Sequence, residues 1–264
     1  MLRPFRVHGV GDPLIATEGD RLALSSKKRF RRPRTYLGHG LPGARPKLPG
    51  RLIVIEGPDG SGRTTYASRL ALDLQARGHA VVTTGLKRSE LVAKGIAAAK
   101  SSPGVGRRTM TLFYAADFAD QLENLIIPSL RNGFVVLCDR FVYTLIARAA
   151  VRGLDREWVE RIYGIALQPD LVVYLRVAPE VLLERELKLH HQLDYWESGG
   201  DLGISPDPVR SFVEYQRRVI AELERQAETE GFEVVDGGGT IEEVYPELLS
   251  RVETLLGDGG GGAA

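Results

Sequence analysis

The stretch Glu56-Gly57-Pro58-Asp59-Gly60-Ser61-Gly62-Arg63-Thr64-Thr65 constrains this chain more than any other. It follows the apolar run 52–55 and leads into 66–72, whose apolar spacing suits a helix. A strand, a glycine-rich turn and a helix N-terminus together form a setting that binds phosphate through backbone N–H groups and the positive helix end. Gly57, Gly60 and Gly62 permit the backbone geometry that turns successive N–H groups inward. The spacing Gly57-x4-Gly62-x-Thr64 follows the Walker A pattern, except that Arg63 stands where the pattern has Lys. Arg63 can donate to β- and γ-phosphate oxygens, but it is planar, bulkier and always charged. Residues 57–65 are therefore the candidate ATP-binding set, with the Thr64 hydroxyl placed for Mg²⁺.

A second candidate is Asp139-Arg140, directly after the apolar run 134–138. Ligands of open parallel sheets sit at the carboxyl ends of the strands. A carboxylate there can hold the water shell of a metal, and an adjacent Arg can clamp a phosphate. A third is the aromatic segment 111–121, where Phe113 on a helix could stack on a base, although core packing is the plainer reading of one Phe.

The body between these motifs alternates strand and helix signals. Short runs rich in Val, Ile and Leu at 51–56, 80–84, 134–138, 171–177 and 232–236 read as strands covered on both faces. Helical patterns fall at 63–77, 88–101, 108–131, 141–152, 155–167, 179–191, 207–229 and 241–256. Gly78 and Gly231 make helix stops, and Asp155 and Pro179 make helix starts. The expectation is an α/β fold, a five-stranded parallel sheet in three layers with helices on both faces.

Charge divides the 264 residues unevenly. Residues 1–49 carry 11 Lys/Arg against 3 Asp/Glu, a net of +8, and the other 24 basic and 31 acidic residues give −7. Residues 1–49 read as a flexible Gly/Pro/Arg-rich leader, 50–256 as the folded domain and 257–264 as a Gly-rich disordered tail. The basic block 27–36 could meet nucleic acid or an acidic surface, with a solvated leader the plainer expectation. Cys138 is the lone cysteine and lies in an apolar run, which excludes an internal disulfide and any multi-Cys metal site. No apolar run approaches the roughly 18 residues that span a membrane, and no signal-peptide core follows the N-terminus. A cytoplasmic location is the simplest expectation.

Taken together, the body resembles the thymidylate kinase family, P-loop kinases that make dTDP from dTMP and ATP. The resemblance covers 51–256. It rests on 55–60 with the loop, Phe113-Tyr114-Ala115-Ala116, Ile127-Pro128 with Gly133, Asp139-Arg140-Phe141 and Gln168-Pro169-Asp170-Leu171. It implies a P-loop NTPase fold with a small lid, ATP as co-substrate and Mg²⁺ held by Thr64 and Asp139. It also implies that Asp59 orients the acceptor phosphate, that Phe113 stacks on the acceptor base, and that Asp139 and Arg140 manage metal and phosphate. Asp59, Arg63, Asp139 and Arg140 form the candidate catalytic set. The segment with Arg185, Lys188, His190 and His191, followed by 193–200, occupies the place of the family's mobile lid, and Arg185 and Lys188 are its candidate cations. Members of the family are often homodimers that pack through helices.

The departures from the family concern cations. Asp117 stands where the family has an acceptor-gripping Arg, and Lys87-Arg88 stand in a turn that differs from the family's. Leu145, Ile146 and Arg148 replace its usual amide and aromatic. Arg148 is expected to face Asp117 in the acceptor pocket, with Lys87 as a further cation. These changes leave room for an acceptor other than dTMP, or for a catalytically weak nucleotide-binding regulatory protein.

Overall fold

The computed structural model describes residues 35–40, 48–101 and 104–257. Most of the basic block, residues 41–47 of the linker and residues 258–264 of the tail lie outside them. The described residues form a parallel five-stranded sheet in the order β2-β3-β1-β4-β5. Its strands are β1 (Arg51–Glu56), β2 (Val81–Gly85), β3 (Val135–Asp139), β4 (Leu171–Arg176) and β5 (Glu233–Asp236). Along β1, Leu52 and Val54 point into one apolar layer, while Ile53 and Ile55 point into the other. This is why the strands read as continuous apolar runs.

One layer packs α1 (Arg63–Ala76) and α9 (Ile241–Gly257) on the sheet, with Leu70, Leu74 and Leu248 fully buried. The other layer holds α3 (Arg107–Gln121), α5 (Val142–Val151), α6 (Arg156–Tyr163) and α8 (Pro208–Glu230). The remaining helices are α2 (Ala93–Ser101), α4 (Ile127–Arg131) and α7 (Pro179–His190). The single helix expected over 108–131 is interrupted by a π-helical turn, Leu122–Ile126, that joins α3 to α4. Pro128 lacks an N–H, and the Ile127 N–H reaches back to the Leu122 carbonyl, so the helix widens just before the proline.

Local chemistry sets the helix ends. Asp155 accepts from the Trp158 N–H at 2.7 Å and Asp207 from the Val209 N–H at 2.9 Å, each capping a first turn. Gly231 ends α8 at φ 70°. Residues 35–40, which composition places in the leader, pack on the body. Leu37 N–H donates to the Ala166 carbonyl at 2.8 Å, and Gln168 N–H donates to the Thr35 carbonyl at 2.9 Å. Gly38 is required there, since a Cβ would stand 2.7 Å from the Gly164 Cα.

Candidate active site

The chain leaves β1 toward β2 on one side, and leaves β3 toward β4 on the other. The crevice between the ends of β1 and β3 is therefore a topological switch point, where α/β sheets bind ligands. The register pairs Ile55 with Asp139, which sets the glycine-rich loop beside Asp139-Arg140. Gly60 and Gly62 sit at φ 78° and 87°. A Cβ on Gly62 would come within 3.1 Å of the Tyr66 ring, so glycine meets both the backbone and the packing requirement.

Glu56, the last residue of β1, was not singled out from sequence. It is fully buried and accepts from the Phe141 N–H at 2.8 Å, the Thr144 N–H at 3.3 Å and the Thr144 hydroxyl. It thereby caps α5 and fixes the helix that carries Arg148. Burial raises its carboxyl pKa, against these hydrogen bonds.

Arg63 folds back into the loop. Its Nη1 donates to the Gly57 and Pro58 carbonyls and, at 2.9 Å, to the Ser61 hydroxyl. Its Nε donates to Asp139 Oδ1 at 3.2 Å, and the residue is 5% exposed. Burial and then the Arg140 charge push the guanidinium down to about 10, against the pull of Asp59 and Asp139. It remains a cation at neutral pH, lying under the glycine-rich loop. The other Asp139 oxygen accepts from the Thr64 hydroxyl at 2.5 Å.

Asp59 is the hub. It is 3% exposed and accepts from Arg140 Nη2 and from Arg148 Nη2, the latter at 2.8 and 2.6 Å, with Arg63 Nη2 at 3.9 Å. Burial alone would raise its pKa, but the charges of Arg140, Arg148 and Arg63 hold the carboxyl far below the usual range. Arg140 adopts φ 70°, a left-handed conformation worth roughly 1–2 kcal/mol of strain in a non-glycine residue. Its N–H is held by the Ile55 carbonyl at 3.0 Å, and its buried Nε has no partner.

The expected pairing of Arg148 with Asp117 does not occur. Arg148 meets Asp59. Asp117, fully buried, accepts from the Lys87 N–H at 2.8 Å, the Ser89 N–H at 2.9 Å and Gln121 Nε2 at 2.9 Å. Helix phase explains the difference: Asp117 turns toward the loop after β2 and Arg148 toward the loop after β1. Asp117 thus anchors the turn on which Lys87 and Arg88 stand exposed.

Two cavities meet at this hub. A large one, roughly 1240 Å³, runs from the loop and Arg140 past α7 to Gly238 and Thr240. A narrow one, roughly 50 Å³, lies between α3 and α5, with Tyr114, Arg148 and Trp196 among its walls. Glu197 borders both. Phe113 is half-buried, its ring 3.1 Å from where a Cβ would stand on Gly95, and the adjacent Tyr114 faces the narrow cavity instead.

The segment after α7 is bolted down. Arg152 donates to both Asp201 oxygens (3.0 and 3.2 Å), to the Trp196 carbonyl (2.9 Å) and to the Tyr215 hydroxyl (2.6 Å). Trp196 Nε1 donates to the Lys100 carbonyl at 3.0 Å. Arg185 binds the turn after β5, and Lys188 pairs with Glu184 at 2.5 Å on the exposed face of α7. The sequence named Tyr114 only within the aromatic motif and Trp196 and Glu197 only within the lid position, and it did not single out Arg152; irregular segments and helix rotation bring the four together.

The family model described as thymidylate kinase matches residues 55–195. The chain belongs to the thymidylate kinase family. It is 37% identical over 200 residues to the probable thymidylate kinase 2 of Saccharolobus solfataricus, covering 75% of this chain and 93% of that relative. It is 30% identical to the probable thymidylate kinase of Pyrococcus horikoshii, over 79% of this chain and 98% of the relative. Identity to the thymidylate kinase of Desulforapulum autotrophicum is 32%, over 78% and 92%. As a thymidylate kinase family member, the chain carries the Asp-Arg step and the loop in the order the resemblance required. Among the described residues no helix is long and apolar enough to cross a membrane.

Proposed function

We propose that this chain moves the γ-phosphoryl group of ATP onto the phosphate of dTMP, giving ADP and dTDP. The observation that carries the proposal is Asp59, a buried carboxylate gripped by Arg140 and Arg148 where the two cavities meet. ATP lies in the large cavity, its phosphates on the loop N–H groups and the N-terminus of α1. dTMP enters the narrow cavity, which offers the faces of Tyr114 and Trp196 to the base and Arg148 to the phosphate. The volume there requires the 194–201 segment to give way on entry.

An ionised acceptor oxygen attacks Pγ, and the bond from Pγ to the ADP oxygen breaks, so no general base is needed. Such transfer depends on positioning and charge neutralisation. Asp59 holds Arg140 and Arg148 where the two cavities meet, so that their charge lies beside the phosphates in transit. Segment 194–201, tied by Arg152, shuts water out.

Thr64 and Asp139 fit Mg²⁺: a hydroxyl and a carboxylate in contact are hard oxygen donors, to be completed by phosphate oxygens and water. Bound there, the ion would neutralise charge on the β- and γ-phosphates. The family's habit of pairing through helices makes a homodimer the assembly to look for by light scattering.

The test is Arg140→Ala and Asp59→Ala, assayed for dTDP formation from ATP and dTMP. Both should lose at least about 10²-fold in kcat, the cost of removing a preorganised group from a developing charge. Loss of less than about threefold in both would refute the assigned hub, the scale being set by about 1.4 kcal/mol per tenfold in rate.

A further inference from the structure

The narrow cavity is smaller than the nucleotide it has to hold. At roughly 50 Å³ it falls well short of the ~300 Å³ at which ordinary ligand pockets begin. Trp196 and Glu197, from the irregular segment between α7 and α8, close one part of it, and Arg148 and Arg152 of α5 and its end form another. The segment is folded on itself. Asp194 Oδ1 accepts from the Trp196 N–H at 2.9 Å and the Glu197 N–H at 3.0 Å, and the Asp194 carbonyl accepts from the Ser198 N–H at 2.9 Å. It is rooted on α8, where the Ser211 hydroxyl donates to the Ser198 carbonyl at 2.7 Å and Gln216 Nε2 to the Glu197 carbonyl at 2.9 Å.

From that root the segment is fastened to α5, α2 and the start of α3. Arg152 Nε and Nη2 grip the two Asp201 oxygens at 3.0 and 3.2 Å, and Nη2 also donates to the Trp196 carbonyl at 2.9 Å. Trp196 Nε1 donates to the Lys100 carbonyl at 3.0 Å, and Arg107 Nη2 to the Asp201 carbonyl at 3.4 Å. The Arg152–Asp201 pair is the one among these in which both partners are charged, and such bonds are the strong kind. Asp201 itself walls neither the narrow cavity nor the large one. A ligand that binds only an open form has its affinity reduced by the fraction of molecules that are open. The large cavity already has room for a triphosphate, so only the acceptor meets this reduction.

We propose that the Arg152–Asp201 pair is a latch holding segment 194–201 across the acceptor cavity, and that the acceptor nucleotide binds only after the latch releases. Arg152 is then a positioning residue that sets acceptor affinity and leaves donor affinity alone. The proposal rests on the reading of the narrow cavity as the acceptor site.

The experiment is calorimetric titration of dTMP, and separately of ATP with Mg²⁺, into the full chain and its Asp201→Asn and Asp201→Ala variants, with dTDP formation assayed on the same preparations. Asp201→Asn exchanges a bond between charges for one to a neutral acceptor, so dTMP should bind about three- to tenfold more tightly, and Asp201→Ala should gain at least as much. ATP should bind all three within about twofold, because a ligand indifferent to opening does not feel its cost. A gain in affinity is a result that damage to the fold does not produce. Trp158→Phe leaves Trp196 as the only tryptophan. In that background acrylamide should quench Trp196 more strongly with Asp201→Asn than without it, before any nucleotide is added. Unchanged or weaker dTMP binding in both variants, with dTDP still formed, would overturn the latch and leave the kinase reading standing. Entry by a turn of the Trp196 ring alone would give that result. Tighter dTMP binding without dTDP would sustain the latch and sink the kinase reading. No dTMP binding by parent or variants would end both.

Discussion

Replacing Arg63 by alanine separates two roles that a loop arginine can play. In this structure the guanidinium faces inward, bonded to two loop carbonyls, the Ser61 hydroxyl and Asp139. Arg63→Ala leaves those acceptors without donors. An orphaned buried acceptor costs about 1–3 kcal/mol, and water from the adjoining cavity can replace part of the loss, so about 2–4 kcal/mol in total is the expectation. At about 2–4 °C per kcal/mol for a domain of this size, the nucleotide-free protein should melt about 4–16 °C lower. Turnover should also fall at least about tenfold, or about 1.4 kcal/mol of transition-state stabilisation, because the cradle loses both its shape and its underlying charge. Arg63→Lys should recover part of both, since an ammonium can reach the loop carbonyls but cannot also hold Asp139 as a fork does. The assays are thermal unfolding without nucleotide and steady-state kinetics on the same preparations. An unchanged melting point with strongly reduced turnover would refute the inward-facing role and return Arg63 to the phosphates.

Other expectations follow from the same contacts. Asp117→Ala orphans the Lys87 and Ser89 N–H groups, so thermal melts should show a loss of about 2–4 kcal/mol, most of it from loosening the turn after β2. Asp59 has a depressed folded pKa, so its stabilising contribution is complete above the unfolded value of about 4 and is lost as pH falls toward the folded one. Urea titrations between about pH 5 and pH 2 should therefore show a shallower acid decline for Asp59→Asn than for the parent, and equal slopes would contradict the three-arginine hub. A chain lacking residues 1–47 should melt several degrees below one lacking residues 1–34, because residues 35–40 contribute backbone bonds to the body worth about 0.5–1.5 kcal/mol each.

The sheet was legible because each strand is a short apolar run and the glycine-rich turn can serve only a few purposes. Gly231 and Asp155 marked helix ends through chemistry that does not depend on tertiary context. The direction of long side chains was not legible. Arg63 is named by the sequence as the wrong residue in a known pattern, but whether a guanidinium reaches out or folds back depends on carbonyls whose orientation appears only in the folded loop. Arg148 and Asp117 were matched by charge, and helix rotation separated them. Pro128 was in plain view as the cause of the π-helical turn before it. Trp196, Glu197 and the Arg152–Asp201 pair lie in or against an irregular segment, where no period reports which face is turned inward. Residues 35–40 shared the composition of the leader and were read with it.

The central claim is that the hub of Asp59, Arg140 and Arg148 serves transfer between two phosphates, with dTMP as the acceptor. The most direct measurement is ADP release from ATP over a panel of nucleoside monophosphates, with dTDP identified as the product by chromatography. Release that depends on dTMP, with dTDP formed in equal amount, is the expected result. Release with no monophosphate above the acceptor-free background would contradict it.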